Sequence, residues 1–114
     1  MLLSTIREET ETVLRLDPSN VEGLILAGSL AAQLPGFLGG TRTEPERLFR
    51  RALEVDPRRT GARLELAPLY ITTKRWSEAR DELQGVPDDP APTDLPRWTF
   101  FEIHRARELL EALQ

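Results

Sequence analysis

Cysteine is absent, lysine and histidine occur once each as Lys74 and His104, and no apolar run approaches the length of a membrane-spanning helix, about 18 residues. Without cysteine there are no disulfides and no thiolate metal ligands, and the redox compartment goes unmarked. One histidine cannot build a typical zinc site, so no metal is expected. His104 also has no nucleophile elbow to serve, since no G-x-S-x-G stands anywhere in the chain. Gly36-x-x-Gly39-Gly40 lacks both a preceding strand and a following Lys-Ser/Thr, so it matches neither the P-loop nor the dinucleotide fingerprint and reads as a lengthened inter-helix loop. These absences point away from an enzyme and away from a cofactor. A formal net charge of −4 disfavours a nucleic-acid partner, which requires concentrated positive charge. The basic residues Arg47, Arg50, Arg51, Arg58 and Arg59 are interleaved with Glu44, Glu46, Glu54 and Asp56, the pattern of a solvated helix face. The opening Met1–Ile6 stretch is too short for a signal h-region and has no basic flank.

What is present is punctuation. Asp-Pro steps stand at Asp17-Pro18, Asp56-Pro57 and Asp89-Pro90, each after a stretch with the apolar spacing of an amphipathic helix. Pro18 and Pro57 are 39 residues apart and Pro57 and Pro90 are 33, close to the roughly 34-residue period of a helix-turn-helix repeat. The surplus in the first interval coincides with Leu34-Pro-Gly-Phe-Leu-Gly-Gly40. At 114 residues the chain has the size of one small domain, and residues 1–114 are expected to fold as one helical repeat domain.

The periodicity predicts about six helices and no strand. The first covers 5–16, with Thr5 and Glu8 as a capping box. A pair follows at 20–33 and 43–55, opened by the boxes Ser19/Glu22 and Thr43/Glu46 with Pro45 in the first turn. A second pair covers 59–73 and 75–84, a loop 85–95, and a capping helix 96–113. Gly85 reads as a helix stop. Pro68 inside the fourth helix should kink it, because proline removes a donor and crowds the carbonyl of Leu64. Trp98, Phe100 and Phe101 form the densest aromatic cluster, read as packing against the preceding repeat, with an exposed partner patch as the alternative. Short connections make neighbouring helices antiparallel.

The side chains resemble the tetratricopeptide repeat, in which small residues let two helices approach and large ones fill the gaps beside them. Leu66-Ala67-x-x-Tyr70 and Ala79-x-x-x-Leu83 fit the pattern, with Trp76 as an aromatic wedge; Leu24, Ala27-Gly28, Ala31, Phe49 and Pro57 fit it in the first pair. Arg63 and Pro45 depart from it. The fold expected is therefore all-α, an antiparallel helix-pair, tetratricopeptide-like right-handed solenoid with a C-terminal capping helix. In such a solenoid the first helix of each pair lines the concave face. Here that places Glu22, Ile25, Ser29 and Gln33, then Leu64, Pro68 and Ile71, on a groove that is apolar and small and lacks the Lys, Arg and Asn of carboxylate-clamping repeats. The helix from Trp98 to Leu113 is itself amphipathic and could cover this face.

A narrower resemblance follows from the insertion. Pro35, Gly36, Phe37, Gly39 and Gly40, followed by Glu46-x-x-Phe49-x-x-Ala52-Leu53-x-x-Asp56-Pro57, then Leu66-Ala67-x-x-Tyr70 and Ala106-x-x-Leu109-Leu110, look like the T component of tripartite ATP-independent periplasmic (TRAP) transporters. The resemblance implies a non-enzymatic accessory protein that binds the substrate-binding component or a small hydrophobic ligand, works in the periplasm and can form a homo-oligomer. The alternative is a generic protein-protein interaction scaffold, possible in the cytoplasm and able to self-associate.

Overall fold

The computed structural model describes residues 2–33 and 43–114, so the Leu34–Gly40 insertion lies outside the described residues. Within them the fold is all-α and without strands, built from packed helix pairs as expected of tetratricopeptide-like repeats. The helices are α1 (Leu2–Leu16), α2 (Val21–Ala32), α3 (Thr43–Val55), α4 (Thr60–Thr72) and α5 (Trp76–Gln84). A C-terminal helix follows in three successive pieces: Leu95–Arg97, a π-helical turn at Trp98–Glu102, and Ile103–Ala112. The chain divides into two compact units, Met1–Asp56 and Pro57–Gln114, and the boundary falls on the second Asp-Pro step.

In the first unit α2 packs on α3 and α1 packs on α2. Gly28 is the contact that fixes the α2/α3 spacing: a Cβ there would lie 2.6 Å from the Phe49 ring, which is wholly buried. Only a residue without a side chain lets the ring sit against the α2 backbone. Leu24, Leu30, Leu48 and Ala52 complete the buried set. The turn between α1 and α2 differs from the expected Ser19 capping box. Asp17 accepts the Ser19 N–H at 3.2 Å, while the Ser19 hydroxyl accepts from Arg51 at 3.2 Å. Asn20, in extended backbone, is the N-cap instead and accepts the Gly23 N–H at 2.8 Å. Thr5 likewise lies inside α1, which begins earlier, at Leu2.

In the second unit α4 and α5 form a helix hairpin. Its turn is closed by Lys74, whose φ of 61° is the left-handed conformation that usually calls for glycine, and the Arg75 N–H donates to the Tyr70 carbonyl at 2.7 Å. Tyr70 is wholly buried, with the Arg75 guanidinium 4.4 Å from its ring centroid. α4 runs on through Pro68 to Thr72, and Pro68 is exposed. Arg63, the residue that departs from the repeat pattern, has a physical account. Its side chain lies across Gly85, where a Cβ would be 3.1 Å from its Cδ, and its guanidinium donates to Glu82 at 3.1 Å. Gly85 is the C-cap at which α5 ends, as expected, and with its backbone right-handed helical (φ −63°, ψ −18°) it also serves by making room for Arg63.

The core of this unit gathers Ala67 from α4, Leu83 from α5, Val86 from the following turn and Ala106 from the C-terminal helix, with Leu64, Trp98, Leu109, Leu110 and Leu113 packed around them. The C-terminal helix is fastened at three points. Asp94 caps it by accepting the Arg97 N–H at 3.1 Å, the Trp98 indole donates to the Val86 carbonyl at 2.6 Å, and Glu102 reaches back to α4.

Candidate interaction surfaces

The described residues hold no group of three or more His, Asp and Glu side chains placed to bind a metal, and none of their helices is long and apolar enough to cross a membrane. What they offer is apolar relief. Gly23 brings α1 close to α2, its Cα facing Leu14 and Val13 at distances a Cβ would reduce to 3.1 and 3.2 Å. Thr10 is buried at this crossing and returns its hydroxyl to the Ile6 carbonyl, 2.7 Å away, which removes a polar group from the contact without a partner on another helix.

Two clefts flank α1. One, of about 280 Å³, has Leu14, Ala27, Leu30, Ala31 and Leu48 as walls and Arg7, Glu11 and Glu44 at its mouth. Glu44 accepts from Arg47 at 2.6 Å, and that hydrogen bond holds its carboxyl below the usual range, so Glu44 stays ionised as the partner of Arg47. The other, of about 500 Å³, lies between α1 and α2, with Ile6, Val13, Gly23 and Leu26 as its apolar surface and Glu9, Asn20 and Glu22 beside them. Val13 and Leu26 remain 39% and 42% exposed, enough apolar area to be available to a partner.

The groove residues named from sequence distribute unevenly. On α2, Glu22 lines the larger cleft, while half-buried Ile25 and Ser29 and exposed Gln33 line neither. In the second unit Leu64 is drawn into the core shared with the C-terminal helix, Pro68 is exposed, and Ile71 is half-buried. Pro35, Gly36, Phe37, Gly39 and Gly40 lie outside the described residues. The aromatic cluster splits. Trp98 packs into the core, whereas Phe100 is 82% exposed and Phe101 48%, the latter with the Arg97 guanidinium 5.0 Å from its ring centroid. The arginines of the α3 region are paired with acids: Arg47 with Glu44, Arg50 with Glu46, Arg51 with Glu54, and Arg58 with Asp89.

Glu102 is the residue that sequence reasoning missed. It is 1% exposed, accepts the Thr60 hydroxyl at 2.5 Å and pairs with Arg97 Nε at 3.2 Å. Gly61 leaves it room, since a Cβ there would lie 3.0 Å from Oε2. A signal existed: Glu102 stands four residues before buried Ala106, so the helical period places it on the core face.

Packed helix pairs with open apolar clefts define an all-α, tetratricopeptide-like helix-pair fold among the described residues. A family model described as a tetratricopeptide repeat matches residues 46–98, from α3 through α4 and α5 to the start of the C-terminal helix. No curated protein and no solved structure matches the chain. The match supports the broader tetratricopeptide superfamily, whose members are typically non-enzymatic scaffolds for protein partners, and carries nothing specific to the transporter T component.

Proposed function

We propose that this chain is a non-enzymatic scaffold that binds another protein through the apolar surface of its helix pairs. The observation that carries the reading is the cleft between α1 and α2, where Ile6, Val13 and Leu26 leave apolar area open beside a repeat-type helix. A partner helix laid along it would bury that area, as amphipathic helices do in grooves. Within the first unit Glu22 borders that cleft, and Ile25, Ser29 and Gln33 on α2 belong to the same reading as a face for a partner or a small hydrophobic ligand; Pro68 and Ile71 on α4 are the corresponding face of the second unit, taken by itself. The test is a photo-crosslinking amino acid at Leu26, with captured proteins identified by mass spectrometry. A discrete heterologous partner is expected, and its loss on Val13→Glu would tie it to the cleft. Capture that is equally strong from an exposed control site such as Gln84 would sink the reading.

The finer form of this proposal is a T-component-like accessory protein of a TRAP-type transporter, working in the periplasm. It is motivated by the Leu34–Gly40 insertion followed by the helix pattern from Glu46 to Pro57. In this form the partner is a substrate-binding protein and the ligand a small organic molecule. Co-purification with such a binding protein and retention of the molecule in native mass spectrometry are expected. A purified chain that carries no organic molecule and captures no binding protein would leave only the generic scaffold.

A further inference from the structure

We propose that the cleft between α1 and α2 of one copy receives the Phe100 face of the C-terminal helix of a second copy. This names a partner for the contact surface proposed above, and it rests on that reading. The two surfaces are complementary in chemistry. The cleft offers apolar Ile6, Val13 and Leu26 with the exposed carboxylate of Glu9 beside them. The C-terminal helix offers Phe100, 82% exposed, with His104 and Arg107, both exposed, following within the next two turns. An aromatic side chain this open gains the most from entering an apolar recess, and aromatic residues with Arg are the side chains that most often anchor interfaces. Arg107 then meets Glu9, so charge sets the register while apolar burial supplies the affinity.

The surfaces are different patches of the chain, one in each compact unit, so the contact is heterologous and each copy keeps one donor and one acceptor surface. That property makes a specific test available. In sedimentation velocity the full chain is expected to show concentration-dependent association that weakens with added salt. Phe100→Glu and Leu26→Glu should each weaken it about tenfold or more, the loss typical of an anchor residue. Glu9→Arg alone and Arg107→Glu alone should each weaken it as well, since each makes cleft and helix alike in charge. Mixing the Glu9→Arg chain with the Arg107→Glu chain should restore association, because each then presents a surface opposite in charge to the other's. All four positions are on the surface, and far-UV circular dichroism verifies that each variant is folded. A chain that stays monomeric to about millimolar concentration would overturn the proposal, as would association indifferent to Phe100→Glu and Leu26→Glu or mixing that restores nothing. If copies fail to associate while a heterologous protein still crosslinks at Leu26, self-pairing falls and the scaffold reading stands.

Discussion

The two compact units bury their apolar residues in different ways. In Met1–Asp56 the contacts run helix by helix, α1 on α2 and α2 on α3, and the crossing of α1 leaves clefts on both of its sides. In Pro57–Gln114 two helices, a turn and the C-terminal helix converge on one cluster around Ala67, Leu83, Val86 and Ala106. The second arrangement also contains a buried carboxylate, Glu102, with an α4 hydroxyl and an arginine of its own helix as partners. A helix added across a pair closes the core; a helix laid along one member of a pair leaves grooves. The less completely packed unit is therefore the one that carries apolar clefts, while the second unit leaves its apolar exposure as single side chains, Phe100 above all.

The strongest way to probe this contrast is to remove the ring that joins α2 to α3. Phe49→Ala should cost about 3–5 kcal/mol, read from urea unfolding, because the ring is wholly buried and Gly28 cannot fill the space it leaves. A loss under about 1 kcal/mol would mean that the first unit collapses around the cavity and that its packing is looser than the geometry implies. Next comes the clamp of the second unit. Glu102→Ala should cost about 2–3 kcal/mol, since it leaves the buried Thr60 hydroxyl without its acceptor and Arg97 without its carboxylate; Arg97 is half exposed, which keeps the cost below that of a fully buried pair. Amide exchange should quicken first in the C-terminal helix. Unchanged protection there would remove Glu102 from the account of how that helix is held.

The helices were legible because their signals are local. Apolar spacing, the Asp-Pro steps and short connections specify where α2 to α5 lie, and each forms within a residue or two of its expected bounds. Gly28 and Phe49, read as small and large members of the repeat pattern, do meet. The details that escaped depend on contacts between distant residues. Nothing near Gly85 in sequence announces that Arg63 will lie across it, and Asn20 rather than Ser19 caps α2 because Asp17 and Arg51 already engage Ser19. The clefts escaped for the same reason. They arise from how α1 crosses α2, and only Glu22 among the groove residues named from sequence faces one of them.

A smaller effect should appear at the α4/α5 turn. Lys74→Gly relieves a left-handed backbone and should stabilise the chain by about 0.5–1 kcal/mol, the gain being limited by the greater freedom glycine brings to the unfolded state. A higher urea midpoint with unchanged slope is the expected readout. A destabilised variant would show that the Lys74 side chain contributes more than its backbone costs.

The smallest effect concerns how the loop after α5 is tied to the start of α4. Burial raises the pKa of Asp89, but the Ala91 N–H and the Arg58 guanidinium, each 2.8 Å from its Oδ1, outweigh that and hold the carboxyl below its ordinary value. A carboxylate depressed in the folded chain contributes stability that is fully present above its unfolded pKa, about 4, and is lost as pH falls through the folded value. The urea midpoint should therefore decline as pH drops below about 4, and Asp89→Asn should decline less, by a few tenths of a kcal/mol, because Arg58 is half exposed and the pair is screened by water. Glu44 is depressed in the same direction by Arg47 and remains in both proteins, so the difference between the two curves isolates Asp89. Parallel curves would mean that the loop is held by its backbone bond from Thr93 to the Arg58 carbonyl at 3.0 Å and not by charge, and the second unit's closure would then rest on packing and on Glu102.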